Sequence, residues 1–396
     1  MFRHAVILGL LIAVGPFAID AYLPAFASIA ADFGRDQGVV QLSVLCFMAT
    51  LAAGQVIYGP ISDAVGRKRP VYFGLCLFVV GSIGCALAGS IEQLLAWRAV
   101  QGLGASAGMV LAIAIIRDMH DGVEAARLLS TAILALSVSP ILAPLAGGAI
   151  IQVASWRVIF WALGLVAIAV GVLLATSMHE TLPPARRLRP SLGNILSSYL
   201  LLLRDRTFLS AVGTGGFAQA SLLAYVAGSS FLFITLYGTT PLTYSLIFAG
   251  NAATVIGLAQ LNAFIINRIG VRRLLTLAVA WFVVATLIMC AVVASGQASL
   301  TVAAVLIFLS LASLGMIMPI ATMLALEPMG AMAGTASALS GFLQGLLSAL
   351  ATLLVGASFD GTARPMVIVM ALSGLCCTAS WLVHLASSPC RAAQTA

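Results

Sequence analysis

The sequence predicts an all-α membrane protein of twelve spanning helices, arranged as two six-helix bundles related by pseudo-symmetry. Three observations carry that expectation. Hydrophobic residues make up 62% of the 396 residues and charged residues only 8%, with a mean hydropathy of +1.13. A soluble domain carries roughly a quarter charged residues. The apolar residues also gather into twelve runs near the roughly 20 residues that cross a bilayer, and the basic residues collect in alternate loops. Twelve spans leave no room for a soluble catalytic domain.

The first half contributes Ala5–Ala31, Val39–Tyr58, Val71–Gly89, Leu94–Ile116, Leu128–Val153 and Val158–Ser177. The second contributes Phe208–Leu236, Leu242–Ile266, Leu274–Ala294, Leu300–Leu326, Gly334–Phe359 and Met366–Leu385. Between them lies the longest polar interval, Met178–Arg206, in which Ile195–Leu203 is too short to cross and suits a helix on the membrane surface. The predicted domains are therefore residues 1–177, a linker at 178–206, and residues 207–396. A cleaved signal peptide is the alternative for the first run, because Arg3 precedes it and Ala25-Phe26-Ala27 resembles a cleavage site. Cleavage would leave eleven helices and move the tail to the other side.

Charge distribution argues for twelve. With the N-terminus inside, cytoplasmic segments hold Arg3, Arg67, Lys68, Arg69, Arg117, Arg127, Arg186, Arg187, Arg189, Arg204, Arg206, Arg268, Arg272, Arg273 and Arg391. The outer side holds Arg35, Arg157 and Arg364, so the excess of basic residues places both termini in the cytoplasm. The seven cysteines (Cys46, Cys76, Cys85, Cys290, Cys376, Cys377, Cys390) have no metal or disulfide spacing. His179-Glu180 lacks the second His of a zinc-protease helix, Asp118 and Asp121 form a lone DxxD, and no phosphate-binding loop occurs. Neither an enzyme nor an ATP-driven pump is expected, and no metal, cofactor or nucleic-acid partner.

An internal echo supports two homologous halves. Asp63-Ala64-Val65-Gly66-Arg67-Lys68-Arg69 after the second helix aligns with Asn267-Arg268-Ile269-Gly270-Val271-Arg272-Arg273 after the eighth. Parallel repeats of this kind build large secondary transporters.

Gly59-Pro60-Ile61-Ser62-Asp63-Ala64-Val65-Gly66-Arg67-Lys68-Arg69 resembles the signature loop of the major facilitator superfamily, and Arg98-Ala99-Val100-Gln101-Gly102-Leu103-Gly104-Ala105 resembles its helix-four motif. Ser139-Pro140-Ile141-Leu142-Ala143-Pro144-Leu145-Ala146-Gly147-Gly148 looks like the helix-five motif of the drug:proton antiporters, without a glycine usual near its start. Asp20-Ala21-Tyr22-Leu23-Pro24-Ala25 is similar to the acidic segment of the Bcr/CflA branch, the bicyclomycin, chloramphenicol and florfenicol exporters. With Ala333-Gly334-Thr335-Ala336-Ser337-Ala338 the resemblance covers the chain. It implies the major facilitator fold and a monomeric, proton-coupled antiporter exporting small amphipathic drugs across the bacterial inner membrane by alternating access. Ala64, where the superfamily often has a basic residue, suggests a thinner charge network in the loop. A metabolite or siderophore transporter on the same fold is the alternative, since a fold does not fix its cargo.

Particular residues have their own physics. Asp20 is the one acid inside a run, roughly 22 Å along its helix. An ionisable group at that depth normally faces a cavity, a partner or a transport path. In a continuous helix Pro16 and Pro24 share its face and leave the carbonyls of Ile12 and Asp20 without N–H partners. Arg98 is the one basic residue in a helix interior; snorkelling to the surface would explain its position, and the resemblance assigns it to proton coupling with Asp20. Whether the two interact is open at this level.

The loop residues Gly59, Asp63, Gly66, Arg67, Lys68 and Arg69 satisfy topology alone, and the resemblance makes them a conformational latch whose Asp neutralises a facing helix N-terminus in one state. Pro140, Pro144, Gly147 and Gly148 break and thin helix five, as a generic kink or as a hinge. Tyr22, Gln101, Tyr225, Asn251, Gln260 and Gln344 are the candidate substrate contacts, although polar groups in apolar runs also serve as packing glue.

Overall fold

Within a bilayer core only a helix satisfies every backbone N–H and C=O inside its own segment, and the predicted runs become helices. The computed structural model describes residues 2–119, 122–183, 187, 199–296 and 298–392. The first run comprises α1 (Phe2–Asp20), a 3-10 turn (Leu23–Ala25) and α2 (Phe26–Phe33). The first half continues with α3 (Gln37–Val65), α4 (Lys68–Leu87), α5 (Ile91–Met119), α6 (Gly122–Val153) and α7 (Arg157–Ser177). The second half holds α8 (Arg206–Ser230) with a π-helical extension (Phe231–Leu236), α9 (Pro241–Ile269), α10 (Val271–Ala294), α11 (Leu300–Leu326), α12 (Ala333–Ala357) and α13 (Arg364–Ala392). Among the described residues eleven helices are long and apolar enough to cross a membrane, counting Arg3–Phe33 as one, and α6 with its apolar stretch Ser137–Val153 completes the twelve-helix plan.

One departure from expectation lies in the first run, which is not a continuous helix. Pro24 occupies the start of the 3-10 turn, where its missing N–H costs nothing, and α1 stops at Asp20. Pro16, Asp20 and Pro24 therefore do not line one face. The first four residues of the predicted surface helix Ile195–Leu203 lie outside the described residues; its last turn, 199–202, is helical. Helix starts carry local signals. Asp205 accepts the N–H groups of Thr207 (2.9 Å) and Phe208 (3.1 Å) to cap α8, and Ser299 caps α11 through the Val302 N–H.

The chain divides into two compact units, Met1–Pro190 with Thr239–Ala249, and Ser191–Gly238 with Gly250–Ala396. The same packing plan recurs in each. In the first, α1 packs on α5, α6 and α7, and α4 on α5 and α7. In the second, α8 packs on α11, α12 and α13, and α10 on α11 and α13. The first helix of each half is thus enclosed by the last three, as the sequence echo leads one to expect. Enclosure demands small residues, and α8 buries Ser210, Thr214, Gly215, Gly216, Ala218, Ser221 and Ala224. Outward faces are apolar instead: Leu165, Val172, Leu277 and Leu382 are exposed, which suits lipid and not water.

Candidate functional site

The first unit is organised around α5. Its glycines let neighbouring backbones approach closely: a Cβ on Gly102 would stand 2.2 Å from the Phe47 carbonyl of α3, and one on Gly108 would stand 2.5 Å from the Leu11 carbonyl of α1. That tight frame holds Arg98, which is 0% exposed and among the largest fully buried side chains. Snorkelling is thereby excluded. Its guanidinium donates to Gln101 Oε1 (2.5 Å) and to the carbonyl of Ala18 (3.2 Å), two residues before Asp20. Gln101 Nε2 donates in turn to Ser82 Oγ (2.8 Å). The guanidinium carbon lies 4.3 Å from the ring centres of both Tyr22 and Phe47, and 5.9 Å from Phe160. An aromatic cage supplies the negative potential that a buried cation needs when no carboxylate faces it. Arg98 Nε and Nη2 have no hydrogen-bond partner.

Asp20 is the last residue of α1 and is buried at 7% exposure. Among the described residues it makes no ion pair, so Arg98 reaches the helix end that carries Asp20 without neutralising its carboxyl. The backbone just beyond is pinned from two sides. Tyr22 bonds to Ser43 and packs against Phe26 and Phe160. A Cβ on Gly147 of α6 would stand only 1.7 Å from the Ala21 carbonyl, so helix and broken segment meet backbone to backbone.

At the far end of α3 a charged cluster closes the loop. Gly66 turns the chain at φ +97°, and the side chain of Arg67, 8% exposed, gathers three residues. It donates to Asp63 Oδ1 (2.5 Å), to Ser62 Oγ (2.7 Å) and through Nε and Nη2 to both oxygens of Asp118 (2.7 and 3.4 Å), at the end of α5. Burial works to lower the Arg67 value, and the bonds to Asp118 and Asp63 raise it further than that, so the guanidinium is held charged. Glu180, beyond α7, accepts the backbone N–H of Arg67 (2.8 Å), Lys68 (3.2 Å) and Leu182 (3.1 Å). A carboxylate thus sits on the N-terminus of α4. Burial pushes Glu180 upward, but these three N–H groups win and hold it below its ordinary value. Lys68 Nζ donates to the Met178 carbonyl (2.7 Å), while Arg69 is exposed and meets no acid among the described residues.

Of the expected latch residues, Asp63, Gly66, Arg67 and Lys68 are therefore brought together, with two differences. The acid at a helix N-terminus is Glu180, whereas Asp63 pairs with Arg67; and Ala64 is exposed, while Asp118 and Glu180 supply the network's further acids. Both were set aside in the sequence as fragments of enzyme motifs. Few acids occur in the chain, and two at helix ends on the side of the basic loop were the available signal. Gly59 lies within α3 and crowds nothing.

The hinge residues sit in a helix that stays intact. Pro140 and Pro144 lie inside α6, which runs unbroken from Gly122 to Val153, since packed neighbours tolerate prolines at membrane depth. Gly148 faces the start of α9, where its Cβ would be 3.1 Å from the Pro241 carbonyl. The candidate substrate contacts divide. Tyr22 and Gln101 belong to the Arg98 cage of the first unit. In the second, Asn251 donates to Tyr225 (3.0 Å) and Gln344 to Ser340 (3.1 Å), while Gln260 is exposed on α9, apart from them. His384 is a packing residue, stacked on Trp381 and within 3.1 Å of Ser210 Oγ. Among the described residues no cluster of His, Cys, Asp and Glu could hold a metal.

Comparison with known proteins gives a consistent result. Residues 8–352 match the model of the Major Facilitator Superfamily. The chain is 37% identical to an uncharacterized MFS-type transporter of Bacillus subtilis, covering 92% of this chain and 91% of the relative. It is 30% identical to multidrug resistance protein D of Escherichia coli (94% and 93% covered) and 28% identical to a bicyclomycin resistance protein homolog of Haemophilus influenzae (95% and 94%). A solved D-xylose-proton symporter superposes with a TM-score of 0.74 at 17% identity, over 94% of this chain and 95% of that one, which speaks to the fold alone.

Proposed function

This chain belongs to the major facilitator superfamily, and we propose that it is a proton-coupled antiporter exporting small amphipathic drugs of the amphenicol or bicyclomycin kind. It is a multi-pass membrane transporter and not an enzyme. On this reading it lies in the bacterial inner membrane with both termini cytoplasmic, works as a monomer by alternating access, and is driven by the proton gradient with no bound cofactor. The names of the multidrug and bicyclomycin relatives support drug export.

The observation that carries the coupling role is the placement of Asp20. Among the described residues it is the one buried acid, placed where α1 ends, and Arg98 bonds the carbonyl of Ala18 two residues earlier and leaves the carboxyl unpaired. Taking up a proton there changes the local charge by one unit beside an immobile Arg98. Two states that differ by one buried charge have the differential affinity that coupling requires. The proton enters from outside and neutralises Asp20; substrate is taken from inside when Asp20 is ionised.

Inverted membrane vesicles with an inside-acid gradient test this. Adding chloramphenicol, florfenicol or bicyclomycin to wild-type vesicles is expected to release protons, and the Asp20→Asn variant, present in the membrane at equal amount, is expected to release none. Proton release by Asp20→Asn at the wild-type level would remove the role given to Asp20. Silence of the wild type with every compound would point to a metabolite or siderophore as cargo.

A further inference from the structure

The outer faces of α3 and α4 carry a feature apart from the Asp20 and Arg98 site. Ile57, Ile61 and Val65 are spaced i, i+4, i+8 and form one stripe down the last turns of α3; Arg69 and Phe73, i and i+4, form a facing stripe on α4. With Leu103 of α5 behind them they wall a cavity of about 370 Å³. The stripe from Ile57 to Val65 is roughly 12 Å long. Ile57, Ile61 and Phe73 are exposed at its mouth, and Tyr58 lines it at 4% exposure with its hydroxyl unpartnered.

Charge decides what fits there. Of the three basic residues in the loop, Arg67 is held by Asp63 and Asp118 and Lys68 by the Met178 carbonyl. Arg69 alone is unengaged among the described residues, and it stands at the loop end of the apolar slot. An apolar slot lined at one end by Arg69, whose side chain is exposed and unengaged among the described residues, matches a molecule with an apolar tail and an anionic head. The exposed apolar face of α7 at Leu165 and Val172 carries no such cation. We propose that this groove binds an anionic glycerophospholipid, with one acyl chain along the α3 stripe and the phosphate on Arg69. Guanidinium groups favour phosphate through paired hydrogen bonds, and the surface of an anionic leaflet supplies that chemistry.

Native mass spectrometry of the full-length protein, released from detergent containing equimolar phosphatidylglycerol and phosphatidylcholine, tests the assignment. Wild type is expected to retain phosphatidylglycerol roughly fivefold over phosphatidylcholine. Arg69→Gln should bring that ratio to about one, Arg69→Lys should keep most of it, and Arg273→Gln, in the corresponding loop of the second half, should leave it unchanged. Ile61→Trp fills the slot from its exposed side and should lower retention of both lipids. A wild-type ratio near one, or an Arg69→Gln ratio equal to wild type, overturns the proposal. So does undiminished retention in Ile61→Trp, which carries the test should Arg69→Gln fail to fold.

Discussion

The loop that closes α3 and the loop that closes α9 turn on glycines of nearly the same conformation, φ +97° at Gly66 and +81° at Gly270. Around Gly66 the chain is tied to α5 and to the segment after α7 through Arg67 and Glu180. Around Gly270 nothing lies within 4 Å of a Cβ, and Arg268 rests over Phe264 at 4.4 Å with no acid paired to it among the described residues. The alignment explains why. Asp63 corresponds to Asn267 and Arg67 to Val271, so both members of the i, i+4 ion pair are absent from the second loop. A repeat can keep the turn, which one glycine specifies, and lose the anchor, which needs matched charges on several helices. The two loops share a shape, and only the first is mechanically fastened.

Removing the anchor gives the largest effect. Arg67→Ala leaves Asp118 and Asp63 without their cation, and loss of one partner from a buried pair costs about 3 kcal/mol; Arg272→Ala, exposed in the second loop, should stay within about 0.5 kcal/mol. Thermal unfolding of both variants in one detergent measures the contrast, and equal midpoints would erase it. A smaller difference is expected at the turns. Both Gly66→Ala and Gly270→Ala enter a backbone region that costs about 1–3 kcal/mol. A Cβ on Gly66 would also stand 2.7 Å from Glu180 Oε2, so Gly66→Ala should unfold at the lower temperature. Equal losses would mean that Glu180 yields freely. The smallest effect comes from grafting: Asn267→Asp with Val271→Arg recreates the spacing of Asp63 and Arg67 and should add about 0.3–0.5 kcal/mol in the same melt, because the graft lacks counterparts of Asp118 and Glu180.

The span positions were legible in the sequence because hydropathy and loop charge act locally. The break after Asp20 was half legible: Pro24 announced missing hydrogen bonds, but the stop of α1 at Asp20 also depends on Ser43 and Gly147, which pin the residues that follow. Arg98 was visible as an interior cation. Its cage was not, since Tyr22, Phe47 and Phe160 come from three separate helical stretches and converge only when those are packed. Gln260 shows the reverse case, a polar residue in an apolar run whose spacing suggested a contact and whose side chain is exposed. The role of Glu180 was hidden because its partners are backbone N–H groups, which leave no trace in residue identity.

The approach of α6 to the Ala21 carbonyl has a mechanical meaning. Where two helices touch through side chains, rotamer changes absorb small displacements; at Gly147 there is no side chain to absorb anything. A dense interior transmits strain instead of dissipating it. A slide or roll of α6 by a fraction of an ångström must therefore be relieved by moving α6 back or by carrying the peptide after Asp20 along with it. That contact works as a rigid push-rod with no spring in it, and the residue at its end is the buried acid.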